Sequence, residues 1–410
     1  MRYITAAAAI IALIGGGWLA QPEDPDRINP FMREEAPLEM GLLPPDQGVT
    51  LALEGKGQAR APHVLLVVGL DQNEITAIDL SDRGLTDQTD LFDVIAELGT
   101  ARLNALATAA LQGTGNVPIV TRGFDVLLPV AGSATRHIAS GTNFREHQVE
   151  TKAQSVFNFP KFGPASAPMT TVVATSNALL DYEVEICVRF DRDIANLEDF
   201  DTAVKGFFLC GDFSDRTVLT QLIDVDNFDS GAGFSDAKSG PDRFPSGGLL
   251  VVPNDWESFV DQERLITLKN GELRQDTRAD GMILDFRDLS DKVLNDTTST
   301  RFLYDGTQWT LVEDAMIARD QVLMSGTSEG VIFMPPTRRQ ILRGALRYVL
   351  TGAFLTGQSP YDSVVDSFLN EEQRSKRYLQ PDDTVVHASS RMGWISVEVV
   401  SENLTFSSET

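Results

Sequence analysis

The stretch Leu180-Asp181-Tyr182-Glu183-Val184-Glu185-Ile186-Cys187-Val188 constrains the fold most. Its apolar residues recur at every second position, which is the period of a β-strand and not of a helix. Leu180, Tyr182, Val184, Ile186 and Val188 then share one face, and Asp181, Glu183 and Glu185 the other. Carboxylates repeated on one face repel unless water or a cation separates them. Two readings follow: a solvated sheet edge, or a site for a hard cation, since Mg²⁺ and Ca²⁺ take oxygen ligands.

Two further segments carry candidate chemistry. Gly206-Phe207-Phe208-Leu209-Cys210-Gly211-Asp212 is an apolar strand ending in an acid. Asp212 can supply a third oxygen ligand, or simply make a turn. In Thr142-Asn143-Phe144-Arg145-Glu146-His147-Gln148-Val149-Glu150, Asn143 and Glu146 fit a capping box, so a short helix is expected here. His147 and Glu150 then lie three apart on one helical face, within reach of each other. A carboxylate fixes an imidazole's tautomer and raises its basicity, which outlines a general base. The plainer reading is a surface ion pair.

The 410 residues suffice for one large domain or two ordinary ones. Residues 21–61 carry prolines and charges and read as a linker. Residues 62–130 read as a small αβ module: strands at His63–Gly69 and Glu74–Leu80, then helical spacing from Asp90 to Leu111. Residues 131–410 follow as the main domain. Strands are expected at Val172–Ala174, Tyr182–Phe190, Gly206–Phe213, Gly248–Val252, Arg264–Lys269 and Gly330–Phe333, with strand texture again over Thr384–Val400. Asn270-Gly271 marks a hairpin, since both positions want positive φ. A short helix is expected over Met282–Leu294. Residues 335–376 form a helical insert, with helices over Arg338–Leu355 and Tyr361–Leu369, and Arg338, Arg339, Arg343 and Arg347 flanking the apolar stripe of the first.

Bulk charge sorts the partners. The formal net charge is −25 at pH 7, which repels nucleic-acid phosphates and anionic membrane surfaces, so neither is expected as a partner on this ground. The N-terminus points elsewhere. Arg2 is followed by the uncharged run Tyr3–Ala20, and then by acidic Gln21-Pro22-Glu23-Asp24. Residues 1–20 therefore read as an export signal or membrane anchor with the following chain outside the cytoplasm, in the periplasm if bacterial. Trp18 suits a cleavage site poorly, which favours an uncleaved anchor. If the segment is instead a buried helix, the protein is cytoplasmic. Cys187 and Cys210 make no C-x-x-C pattern and read as two buried thiols, with a disulfide as the alternative.

Taken in order, the motifs resemble the catalytic C-terminal domain of the fumarylacetoacetate hydrolase family. They are Asn-aromatic-x-x-His-x-x-Glu (143–150), Leu-Asp-Tyr-Glu-Val-Glu (180–185), and the Gly-aromatic strand ending at Asp212 with Ser214-x-Arg216. Then come Ala237-Lys238-Ser239, Asn270-Gly271-Glu272-Leu273-Arg274-Gln275, and Gly326-Thr327-x-x-Gly330-Val331. The resemblance covers about residues 131–400, and 62–130 is similar to the family's small N-terminal domain. It implies an α+β, mainly β fold: a mixed β-sandwich roll with a small N-terminal αβ module, here with a helical insertion near the C-terminus, usually dimeric. It implies Mg²⁺, with Mn²⁺ or Ca²⁺ as alternatives, on Glu183, Glu185 and Asp212. It implies water activation by His147 and Glu150, substrate or charge stabilisation by Lys238, and substrate-proximal positions at Arg216 and Thr327. The sequence departs from the family at Gly211, Thr217, Gly240-Pro241 and Ser328-Glu329, changes that bear on the substrate pocket more than on the metal.

The expected function is thus a metal-dependent hydrolase cleaving a carbon–carbon bond in a small dioxo acid of acylpyruvate or fumarylacetoacetate type. A decarboxylase, hydratase or keto–enol isomerase acting on a 2-oxo acid is the first alternative. A membrane-tethered, non-catalytic binding protein of the same fold is the second.

Overall fold

The computed structural model describes residues 36–55 and 61–402. The N-terminal segment 1–20, read above as a signal or anchor, lies outside them. No helix among the described residues is long and apolar enough to cross a membrane.

Two compact units emerge. One holds the described residues 334–378, and the other runs from the first described residue to Phe333 and resumes at Leu379. The larger unit is α+β with β predominating. It is built on two sheets. The first has ten strands in the spatial order Val120–Gly123, Glu74–Asp79, His63–Leu70, Gly48–Glu54, Leu250–Pro253, Lys205–Gly211, Val184–Phe190, Leu323–Met324, Arg136–Gly141 and Phe157–Phe162. The second has five: Glu272–Arg278, Arg264–Lys269, Thr384–Ser389, Trp394–Ser401 and Met169–Ala174. Phe207, Leu209, Leu265, Val385, Ile395 and Val397 belong to one buried apolar cluster contributed by both sheets.

The linker expected over 21–61 fails at Gly48–Glu54. This segment is a buried strand pairing with both His63–Leu70 and Leu250–Pro253. Its alternation is only seven residues long and sits in a proline-rich, charged neighbourhood that masks it. Through it, the strands of 62–130 continue the same sheet as the rest of the unit.

Local sequence explains most other differences. The helix expected over 90–111 is two, Leu91–Leu98 and Thr100–Leu111, broken where Gly99 takes φ 75°. The Asn270-Gly271 turn forms, with φ 54° and 80°. The helix expected from Met282 starts at Phe286, because Asp285 caps it. In the smaller unit, Gly352 in the left-handed region ends the first helix at Thr351, and a capping box on Ser359 starts the second at Pro360. The strand expected at Gly330–Phe333 is absent. The amides of Ile332 and Phe333 donate instead to the Asp181 carboxylate, at 2.9 and 3.0 Å.

Cys187 and Cys210 are joined in a disulfide, against the expectation of two thiols. The register explains why. Phe208 pairs with Cys187 and Cys210 with Glu185, so the cysteines face each other diagonally across adjacent antiparallel strands. A sequence shows which residues alternate but not which rungs meet.

One buried carboxyl gives a pH prediction. Glu263 is fully buried and accepts from Ser389 Oγ at 2.6 Å and from the Arg391 amide. Burial pushes its pKa up to about 7, above the unfolded value of about 4.3. The folded state therefore holds this proton more tightly. The stability it contributes is complete below the unfolded pKa and is lost as pH rises through the folded one. About 4 kcal/mol of unfolding free energy should disappear between about pH 4 and pH 8. Glu263→Gln should flatten that slope in urea denaturation; an unchanged slope would refute the assignment.

Candidate metal centre and catalytic dyad

Strand pairing gathers the acids. Gly211 pairs with Val184, and the next amide, that of Asp212, donates to the Glu183 carbonyl at 2.9 Å. Asp212 thus sits opposite Glu183, and Glu185 lies two residues on along the same face. One oxygen from each of Glu183, Glu185 and Asp212 lies within 4.8 Å of the others. All three residues are buried, which excludes the solvated-edge reading. The disulfide occupies the adjoining rows of the same two strands, so it clamps the strands that present the acids.

Asp181 is not part of the cluster. The chain leaves one strand at Asp181 and starts the next at Val184. Asp181 holds Arg216 through Nε at 2.8 Å, while Arg216 Nη2 reaches Glu183 Oε1 at 2.5 Å. The guanidinium proposed to touch substrate is thereby committed to two carboxylates and stacked over Phe333.

Lys238 ends the short helix Phe234–Lys238 and lies between two acids, 2.6 Å from Glu183 Oε2 and 2.8 Å from Asp212 Oδ2. A second lysine, which the sequence reading missed, completes the arrangement. Lys161 Nζ donates to Asp212 Oδ1 at 2.6 Å and to the carbonyl of Lys238. Its signal was present: Phe157, Phe159 and Lys161 share one strand face, so a lysine occupies a core position. Such burial is tolerated only with a paired charge.

The electrostatics follow. Burial opposes ionisation of Glu183, but Lys238 and Arg216 outweigh it and hold the carboxyl at about 2. Burial, then Asp212 and Glu183, push Glu185 well above the usual range. Burial also lowers Lys161, partly offset by Asp212. For Lys238 the two carboxylates win over burial and raise it. Glu185 is the acid with no cation of its own. Its Oε2 accepts from the Gly326 amide at 2.8 Å, while its Oε1 is buried without a hydrogen-bond partner. Gly326 makes that approach possible: φ is +79°, and a Cβ there would sit 3.0 Å from the Ser140 carbonyl oxygen.

The dyad forms as expected, but its helix is started differently. Helix Arg145–Thr151 has Phe144 at its N-cap and no side-chain cap. Asn143 instead latches neighbouring loops, donating to the carbonyls of Leu284 and Ser325 and accepting from the Leu284 amide. His147 Nδ1 lies 2.9 Å from Glu150 Oε2, with both residues buried, so this is no surface ion pair. Glu150 Oε1 faces the Gly330 amide. Thr327 is held by Gln275 Nε2 at 3.0 Å and donates to the Val184 carbonyl, so its hydroxyl braces the strand. Glu329, noted in sequence only as a departure from the family pattern, is buried near the dyad. Burial, then Glu146 and Glu150, raise its pKa to about 7.

The departures have local reasons. A Cβ on Gly211 would lie 2.8 Å from Pro245 Cγ and 3.2 Å from the His387 ring, so those side chains fill the space of a larger residue. Thr217 donates to the Asn177 carbonyl and accepts from the Leu179 amide.

A sequence model of the fumarylacetoacetate hydrolase C-terminal domain matches residues 136–400, well over half of the chain. The chain belongs to the fumarylacetoacetate hydrolase family. No curated protein matches it. Solved structures share the fold. A protein described as a probable 2-hydroxyhepta-2,4-diene-1,7-dioate isomerase from Mycobacterium abscessus superposes with a TM-score of 0.52 at 17% identity, covering 87% of this chain and 99% of that one. Cg1458 with inhibitor gives a TM-score of 0.51 at 14% identity, covering 86% and 99%. At these identities the likeness concerns the fold. The acidic cluster suits the divalent metal common in the family, and the orphaned Glu185 oxygen fits such an ion.

Proposed function

We propose that this chain is a metal-dependent hydrolase cleaving a carbon–carbon bond in a small dioxo acid of acylpyruvate or fumarylacetoacetate type. The observation that carries this is the buried Glu183/Glu185/Asp212 cluster, with an orphaned oxygen, in the same site as a buried His–Glu pair. Glu183, Glu185 and Asp212 would hold the cation, Mg²⁺ by the hardness of an all-oxygen set, which would polarise the substrate's keto and carboxylate oxygens. Glu150 orients His147 through Nδ1, leaving Nε2 as the basic nitrogen that takes a proton from water. Lys238, fixed between Glu183 and Asp212, sets positive charge where the leaving fragment becomes an enolate. Arg216 and Thr327 act on substrate through the groups they hold in place.

The test is turnover of an acylpyruvate by purified protein with added Mg²⁺ or Mn²⁺, with and without chelator. Metal at about 100 times its Kd should also stabilise the fold by about 2.7 kcal/mol, read as a rise in melting temperature. Absence of any metal binding would favour the non-catalytic reading.

A second reading rests on Glu329. A keto–enol isomerase, decarboxylase or hydratase moves protons at carbon, and a second carboxyl with a pKa of about 7 near the dyad suits that work. Product analysis separates the two. Export is part of the proposal, supported by the N-terminal sequence and by a disulfide, which persists in oxidising compartments. A homodimer is proposed too, checked by light scattering.

A further inference from the structure

The smaller unit is amphipathic in the wrong sense for a buried insert. Its helix Arg338–Thr351 packs on helix Pro360–Ser375, yet the first helix's buried residues are Gln340 and Gly344. Gly344 allows the closest approach, since a Cβ there would lie 2.5 Å from the Val364 backbone. Gln340 Nε2 donates to Glu372 Oε1 at 3.2 Å, and Arg343 Nη1 meets Glu371 at 2.8 Å. The polar side faces the partner helix. The apolar side faces out: Ile341, Leu346, Val349, Leu350, Phe354 and Leu355 are 41–82% exposed. Contiguous apolar exposure of this kind marks an interaction surface.

Charge selects the occupant. Residues 334–378 carry seven basic side chains against four acidic ones, on a chain whose formal net charge is −25. Arg338 and Arg347 are exposed beside the apolar stripe. A second copy would bring another strongly acidic chain. An anionic lipid surface repels most of this protein but attracts this unit, so the field turns the hairpin toward it. Exposed aliphatic and aromatic side chains beside arginines are the composition of a helix lying in a bilayer interface.

We infer that the hairpin Arg338–Ser375 docks on an anionic lipid bilayer, with Val349, Leu350, Phe354 and Leu355 entering the interface and Arg338 and Arg347 meeting lipid phosphates. This contact does not depend on the reaction catalysed.

The chain's two cysteines are paired, so an introduced cysteine is a single labelling site. Full-length Leu355→Cys, carrying an environment-sensitive fluorophore, is mixed with vesicles of phosphatidylglycerol and phosphatidylcholine or of phosphatidylcholine alone. A blue shift and quenching by brominated lipid chains are expected with the anionic vesicles only. The same label at exposed Val225 should show neither. Arg338→Ala/Arg347→Ala in the labelled chain should weaken the response about thirty-fold, two arginines near a charged surface. No quenching at position 355 would overturn the proposal, as would equal quenching with both vesicles. A lipid-free blue shift that grows with protein concentration would overturn it in favour of self-association.

Discussion

Asp212→Asn is expected to destabilise the protein by about 3–5 kcal/mol, the cost of removing one partner from a buried ion pair. Asp212 is fully buried and accepts from two lysines, Lys161 at 2.6 Å and Lys238 at 2.8 Å. An asparagine keeps the shape but loses the charge. Lys161 would then depend on the carbonyls of Lys238 and Arg243, and Lys238 on Glu183. Burial already depresses Lys161, and losing Asp212 removes its main electrostatic support. Metal affinity should fall as well, because one of the three clustered oxygens goes. Urea denaturation and calorimetric titration with Mn²⁺ measure the two effects. A stability loss below about 1 kcal/mol, within the range of an exposed pair, would mean the lysines do not rely on this carboxylate.

His147→Asn is expected to reduce kcat by about 10²–10⁴-fold, the usual worth of a positioned general base. The same variant should bind Mn²⁺ with unchanged affinity, since His147 is outside the carboxylate cluster. Glu150→Gln should reduce kcat less, because it disturbs the tautomer of His147 without removing the base. Metal titration and steady-state kinetics on the same preparations give both readouts. Unchanged turnover in His147→Asn would sink the proposed water activation, and lost metal binding would place His147 among the ligands.

Much of the site was legible because it depends on local periods. Glu183 and Glu185 share a face by alternation, and His147 and Glu150 meet by helical spacing. The ordered motifs carried the family assignment, which the domain match supports. What escaped were residues whose partners lie far off in sequence. Lys161 reaches Asp212 across 51 positions, and Asn143 reaches Ser325 across 182. The capping box at Asn143 failed for that reason: a distant loop competed for its side chain and won. Glu329 was visible only as an odd neighbour of Ser328 until burial beside the dyad raised its pKa.

The sequence by itself determined many of the strands, though neither Gly48–Glu54 nor Phe157–Phe162, together with the turn at Asn270-Gly271, the helices of the insert and the carboxylates that share a face. These follow from steric and hydrophobic rules acting over a few residues. Only the tertiary structure decided which rungs face each other. That choice placed Asp212 opposite Glu183, closed Cys187 onto Cys210, buried Lys161, and left the apolar side of Arg338–Thr351 exposed. Each is a matter of which distant surface a residue meets, because the cost of burying a charge or exposing a leucine is set by that partner and not by the chain neighbours.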